Sequence, residues 1–82
     1  MNKVRVRINR VEDMKKFIVN SSKVAEPGVN VYHGNLVIDG SSVIAMMNLV
    51  GNDISVEYPK TALNFKTFIT PFLIWLLKKF MI

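Results

Sequence analysis

Apolar and charged residues alternate along the first part of the chain. In the segment 3–8 every second residue is apolar and β-branched, in the order KVRVRI. This alternation is typical of a strand with one buried face, and it would place Lys3, Arg5 and Arg7 on the solvent side. The segment 54–58 alternates in the same way. The two segments predict the first and the last strand of a sheet.

The segment after the first strand carries apolar residues at helical spacing. From Val11 to Ala25 they recur mostly three and four positions apart, which predicts an amphipathic helix. Asn9 lies three residues before Glu12, so the two side chains are expected to form a capping box at the start of this helix. Pro27, which a glycine follows, is expected to end it.

Two short strands and a second helix are predicted in the middle of the chain. The runs 29–32 and 36–38 are rich in β-branched and other strand-forming residues, and they flank a Gly34-Asn35 pair, which is typical of a tight hairpin turn. A mostly apolar helix over 43–50 follows. Gly51 is expected to cap its end in the left-handed conformation.

A third helix is predicted after Pro59. Thr61 is expected to cap it, and Pro71 lacks a backbone donor, so the helix should kink or restart there with Thr70 as its new cap. The next six residues, 72–77, are all apolar and would cover every side of a helix.

The element order β-α-β-β-α-β-α indicates a single α+β domain over residues 1–82. Elements in this order build an open-faced β-sandwich, in which a four-stranded antiparallel sheet carries its helices on one face. Half of the 82 residues are hydrophobic, enough for one core but not for a second domain.

The amino-acid composition of the chain excludes several classes of protein and of site. The chain has no cysteine, which excludes a disulfide framework, a thiolate zinc site and a cysteine nucleophile, and favours a cytoplasmic location. The alternating N-terminal segment does not resemble a signal peptide. The most apolar stretch, 68–77, is interrupted by Thr70 and Pro71 and is too short to cross a membrane. We therefore expect neither secretion nor a transmembrane anchor.

The formal charge is +5, but the basic residues are spread along the chain. Lys3, Arg5, Arg7 and Tyr32 are expected to share the open face of the sheet. RNA-binding sheets present two or three stacking aromatic residues, and here there is one. A solvated basic face is the favoured interpretation, and nucleic acid is not an expected partner.

The segment 37–46, VIDGSSVIAM, resembles the histidine-containing phosphocarrier (HPr) family of the bacterial sugar phosphotransferase system. It is similar to that family's third strand running into its second helix. The resemblance covers about residues 3–70 and is strongest over 29–56. It implies the strand order 1-4-2-3. It also implies a phosphoacceptor histidine within a Gly-x-His-x-Arg-Pro pattern between the first strand and the first helix.

The sequence departs from the family at that loop. Only Asn9, Arg10 and Val11 separate Ile8 from Glu12, with no histidine and no proline. The family's phosphoryl transfer is therefore not carried over to this chain.

The resemblance also implies a serine at the start of the second helix that is phosphorylated for regulation in some members. Ser42 is the nearest match and Ser41 is adjacent. A helix N-terminus suits a phosphate group. The favoured alternative is that one of these serines simply caps the helix, because serine is among the preferred N-cap residues.

No group of residues in the sequence is typical of an active site. His33 is the only histidine and lies at the predicted hairpin tip, where an ordinary turn residue is the favoured interpretation. The carboxylates are scattered, and Glu57 is expected to pair with Arg5 or Arg7 across the sheet. We predict that the protein is not an enzyme and has no catalytic residue, metal site or cofactor.

The apolar C-terminal run indicates a contact with a partner. If one stripe of a final helix faces the sheet, the other stripe is left for a second subunit in a homodimer, another protein or a membrane surface. That second stripe consists of Leu73, Ile74 and Leu77. The sequence thus predicts a non-catalytic HPr-like binding or regulatory module related to the phosphotransferase system. The alternative is a peripheral membrane or assembly protein that acts through this helix.

Overall fold

The elements of the chain follow the predicted order in a computed structural model that describes residues 1–74. The sheet is antiparallel, with strand order β1-β4-β2-β3. This confirms the predicted α+β open-faced fold. The strands are β1 Asn2–Arg7, β2 Asn30–His33, β3 Leu36–Asp39 and β4 Asp53–Tyr58, and the helices are α1 Val11–Ser22, α2 Val43–Met47 and α3 Leu63–Ile69.

The core lies between the sheet and its helices. Val6 on β1 and Val56 on β4 are fully buried, whereas Arg5 and Arg7 are exposed. The alternating pattern of the sequence therefore places one face of the sheet inside, as predicted. On the helical side, Phe17 is fully buried against Phe65, with ring centroids 5.6 Å apart in an edge-to-face arrangement.

The start of α1 differs from the prediction. Arg10, and not Asn9, is the N-cap residue, and no side chain caps the helix. The backbone stays extended through Arg10, so Glu12 is the second helical residue and not the third, which a capping box requires. The Glu12 carboxylate instead accepts a hydrogen bond from the Arg10 guanidinium at 3.0 Å.

The end of α1 also differs. The helix ends at Ser22, before the predicted limit at Ala25. The N–H of Val24 donates to the carbonyl of Ser21, three residues back, so the last turn tightens and the chain leaves the helix well before Pro27.

The central turns form largely as the sequence indicates. His33 and Leu36 are paired, so the β2–β3 hairpin has a two-residue turn in which Gly34 has a φ of +59°. Helix α2 ends at Met47, before the predicted limit at Val50. Gly51 adopts the left-handed conformation as expected, and its N–H donates to the carbonyl of Ile8 at 2.8 Å.

The segment after α3 does not restart an α-helix. A single 3-10 turn, Thr70–Phe72, contains Pro71, and Leu73 then becomes extended and pairs antiparallel with Val6. The N–H of Ile74 donates to the carbonyl of Arg5 at 3.0 Å. The predicted α-helix is therefore wrong at residues 73 and 74, because the open edge of β1 offers them backbone partners. Thr61 is likewise not the cap of α3, which begins after Ala62.

Candidate functional site

The connection between β1 and α1 holds no group that can accept a phosphoryl group as a phosphocarrier histidine does. Ile8 is fully buried there, and the next two residues, Asn9 and Arg10, are exposed. His33 is half-buried at the end of β2, and β4 separates it from β1. The histidine and the start of α1 are therefore not brought together.

The open face of the sheet joins Lys3, Tyr32 and Glu57. The ammonium nitrogen of Lys3 lies 3.9 Å from the centre of the Tyr32 ring, a cation–π contact. The hydroxyl of Tyr32 donates to the Glu57 carboxylate at 3.0 Å. This hydrogen bond raises the pKa of Tyr32 above its ordinary value, with smaller contributions from desolvation and from the negative charge of Glu57.

The arginines of this face have a different partner from the one predicted. Arg7 donates through Nε to Asp53 Oδ1 at 2.6 Å, and Arg5 Nη2 lies 3.8 Å from the other oxygen of Asp53. The strand register explains the correction, because Arg7 stands opposite Asp53 and Glu57 stands opposite Lys3. The hydrogen bond and the charge of Asp53 raise the pKa of Arg7.

We expect removal of Glu57 to lower the pKa of Tyr32 towards the ordinary value of about 10. The stabilising contribution of this hydrogen bond is present below pH 10 and is lost as the pH rises through the raised pKa of the folded state. NMR titration of the Tyr32 ring carbons in the wild type, in Glu57→Ala and in a Glu12→Gln control measures the shift. An unchanged Tyr32 pKa in Glu57→Ala would rule out the hydrogen bond as its cause.

Helix α2 exposes apolar side chains in the part of the chain where the resemblance is strongest. Ile44 is 81% exposed and Val43 is 60% exposed, whereas Met46 is fully buried in the core. The helix has only five residues, so it turns one side to the core and leaves the other in solvent. The sequence alone does not indicate this surface, because nearly every residue of the helix is apolar and the pattern does not separate a buried side from an exposed one.

The two serines before α2 have different environments. Ser42 occupies the N-cap position, but its side chain makes no capping hydrogen bond. The hydroxyl and the N–H of Ser41 both donate to Asp39 Oδ1, at 2.7 and 2.9 Å. These bonds lower the pKa of Asp39. Neither serine hydroxyl is thus the side-chain cap that the favoured interpretation predicted.

The predicted C-terminal interaction surface is only partly described. Leu73 is half-buried and packs on the core beside Val6, and Ile74 is half-buried next to Arg5. Leu77 lies outside the described residues. The structure therefore places Leu73 and Ile74 along the edge of β1 and not on one face of a helix.

A cavity of about 500 Å³ lies between the end of α1 and the start of α3. Its walls combine apolar side chains such as Val24 and Leu63 with the polar side chain of Asn20, and its charged residues are Lys23 and Glu26. Within residues 1–74 no cluster of carboxylates and histidine is suited to hold a metal ion. The same residues include no helix of the length and hydrophobicity that crossing a membrane requires.

Comparison with models of known protein families, with curated proteins and with solved structures finds no match to this chain.

Proposed function

We propose that the protein is a non-catalytic binding or regulatory module, HPr-like in fold and related to the bacterial sugar phosphotransferase system. The observation that carries the proposal is the apolar surface of α2, where Val43 and Ile44 stand largely in solvent. Exposed apolar side chains next to each other are typical of a contact site for another protein. The partner is a protein that presents an apolar patch of its own.

Two features of the fold support this proposal. The strand order β1-β4-β2-β3 is the one that the resemblance to the phosphocarrier family implies. The short connection between Ile8 and Val11 leaves no place for a phosphoacceptor loop. A domain with this architecture and without the histidine binds its partners without transferring phosphate to them.

Regulation at Ser42 is part of the proposal. Its hydroxyl makes no capping bond, so modification would break no hydrogen bond that holds the helix start. A phosphate there would place about two negative charges next to Val43, at the border of the apolar surface. Phosphorylation is therefore expected to weaken docking of an apolar partner.

Calorimetric titration of the full chain with purified proteins of the phosphotransferase system tests the proposal. We expect one of them to bind, and Ile44→Glu to weaken this binding at least tenfold, because a charge would enter the contact. Val19→Glu is the matched control, since Val19 is 51% exposed on α1. Ser42→Asp should weaken binding in the same direction as Ile44→Glu.

A second experiment with the same phosphotransferase proteins tests whether His33 accepts a phosphoryl group. Incubation with a phosphorylated phosphotransferase donor should leave no acid-labile phosphate on His33. Labelling that disappears in His33→Ala would show an active phosphocarrier and contradict the proposal. Binding that is equally strong in Ile44→Glu and Val19→Glu would move the contact away from α2.

A further inference from the structure

The two edges of the sheet differ in how well they are protected from pairing with a strand of another molecule. The β1 edge carries three basic side chains, and Leu73 and Ile74 already run alongside it. The β3 edge, Leu36–Asp39, has no basic residue and no proline. Leu36 is 61% exposed and Val37 is 63% exposed. An exposed apolar edge strand without such features readily pairs with another strand.

The register of the hairpin determines which backbone groups of β3 face away from β2. In a two-residue turn, His33 and Leu36 form a hydrogen-bonded pair, so the backbone groups of Leu36 and Ile38 point towards β2. Gly40 continues the pattern, since its N–H donates to the carbonyl of Val29. Val37 lies between these positions, so its N–H and its carbonyl point away from the sheet.

We propose that two copies of the chain pair antiparallel through β3 and form a continuous eight-stranded sheet. The two-fold axis stands perpendicular to the sheet at Val37, so that each Val37 donates its N–H to the carbonyl of the other. The helices of both copies then lie on the same face. This interface involves other residues than the partner contact proposed for α2.

The side chains that this pairing places opposite each other explain why the strand that binds to the β3 edge is a second copy of the same chain. With Val37 opposite Val37 of the second copy on the open face, Leu36 stands opposite Ile38 of the second copy on the helical face. Every pair over these positions is apolar on both faces. Asp39, the one charged residue of the strand, stands opposite Asn35 of the second copy, so the two carboxylates do not oppose each other. The edge is thus complementary to itself.

Sedimentation equilibrium of the full chain tests this proposal. We expect a mass of about twice the 9.3 kDa of one chain. Val37→Lys brings two ammonium groups together on the axis and should raise the dimer dissociation constant at least a hundredfold. Val19→Lys, at a similarly exposed position on α1, should leave the dimer intact. Circular dichroism and a dispersed NMR spectrum show that the Val37→Lys monomer is folded.

Hydrogen exchange then locates the interface. The amide of Val37 should exchange slowly in the dimer, because it is bonded to the second copy, and dilution that dissociates the dimer should speed its exchange. The proposal is overturned if the wild type is monomeric, if the dimer survives Val37→Lys, or if a dimer forms while the Val37 amide exchanges as fast as an exposed one. If Val37→Lys fails to fold, the Val37 amide in the wild type still decides the question.

Discussion

Replacing Phe17 by alanine should lower the free energy of unfolding by about 3–5 kcal/mol, which is the usual range for a buried phenylalanine. Phe17 is fully buried in α1. Its ring lies against two others, with centroid distances of 5.6 Å to Phe65 and 6.4 Å to Phe68. The substitution removes these ring contacts and leaves a cavity beneath the helix. A small domain has a total stability of only about 5–15 kcal/mol, so the substitution would remove a large fraction of it.

Urea unfolding followed by circular dichroism measures this effect. Val19→Ala on the same helix is the control, because Val19 is 51% exposed and should change the stability by less than about 0.5 kcal/mol. Phe17→Leu should fall between the two, since leucine fills part of the space. Equal stability of Phe17→Ala and Val19→Ala would mean that α1 does not pack on the sheet as described.

Replacing Gly40 by alanine should have the second-largest effect, a destabilisation of about 1–3 kcal/mol from overpacking. An added Cβ would lie 2.8 Å from Val29 Cγ1, 2.9 Å from Ser21 Oγ and 3.2 Å from Val29 Cβ. Val29 and Ser21 are both buried, so neither side chain can move into solvent. The clash arises where the chain leaves β3 and passes under the end of α1.

A double-mutant cycle separates the clash from other causes. In a Val29→Ala background the space around residue 40 is larger, so Gly40→Ala should cost clearly less there than in the wild type. Thermal or urea unfolding of the four proteins gives the coupling energy. A cost of Gly40→Ala that is independent of residue 29 would assign the clash to the Ser21 hydroxyl instead.

The sequence predicts the sheet and α1 well because each buries one face. Alternation in β1 and β4 and helical spacing in α1 are direct consequences of that burial. The strand register is not a local property, however. The partner of an arginine on the sheet depends on which residue of the neighbouring strand stands opposite it. In the observed register Arg7 stands opposite Asp53 and donates a hydrogen bond to it, so the predicted pairing with Glu57 does not form.

The helix predicted over residues 73 and 74 does not form, for a related reason. Helical spacing and a proline suggested a restarted helix, but the path of residues 73 and 74 depends on the unpaired edge of β1, which is distant in sequence.

The candidate site at α2 was predicted only in part. Ser42 was placed at the start of the helix, as observed. The exposure of Ile44 depends on how few residues form the helix, and the pattern predicted a longer one.

The pairing of Leu73 with Val6 has a consequence for synthesis on the ribosome. β1 is synthesised before both of its partners. One of its edges pairs with β4, and the other is covered by residues 73–74, which are synthesised last of the three. During this interval both edges of β1 are open to strands of neighbouring nascent chains. Lys3, Arg5 and Arg7 repel the same strand of another copy. We therefore expect the basic face to keep the first strand apart from its counterparts until residues 73 and 74 reach it.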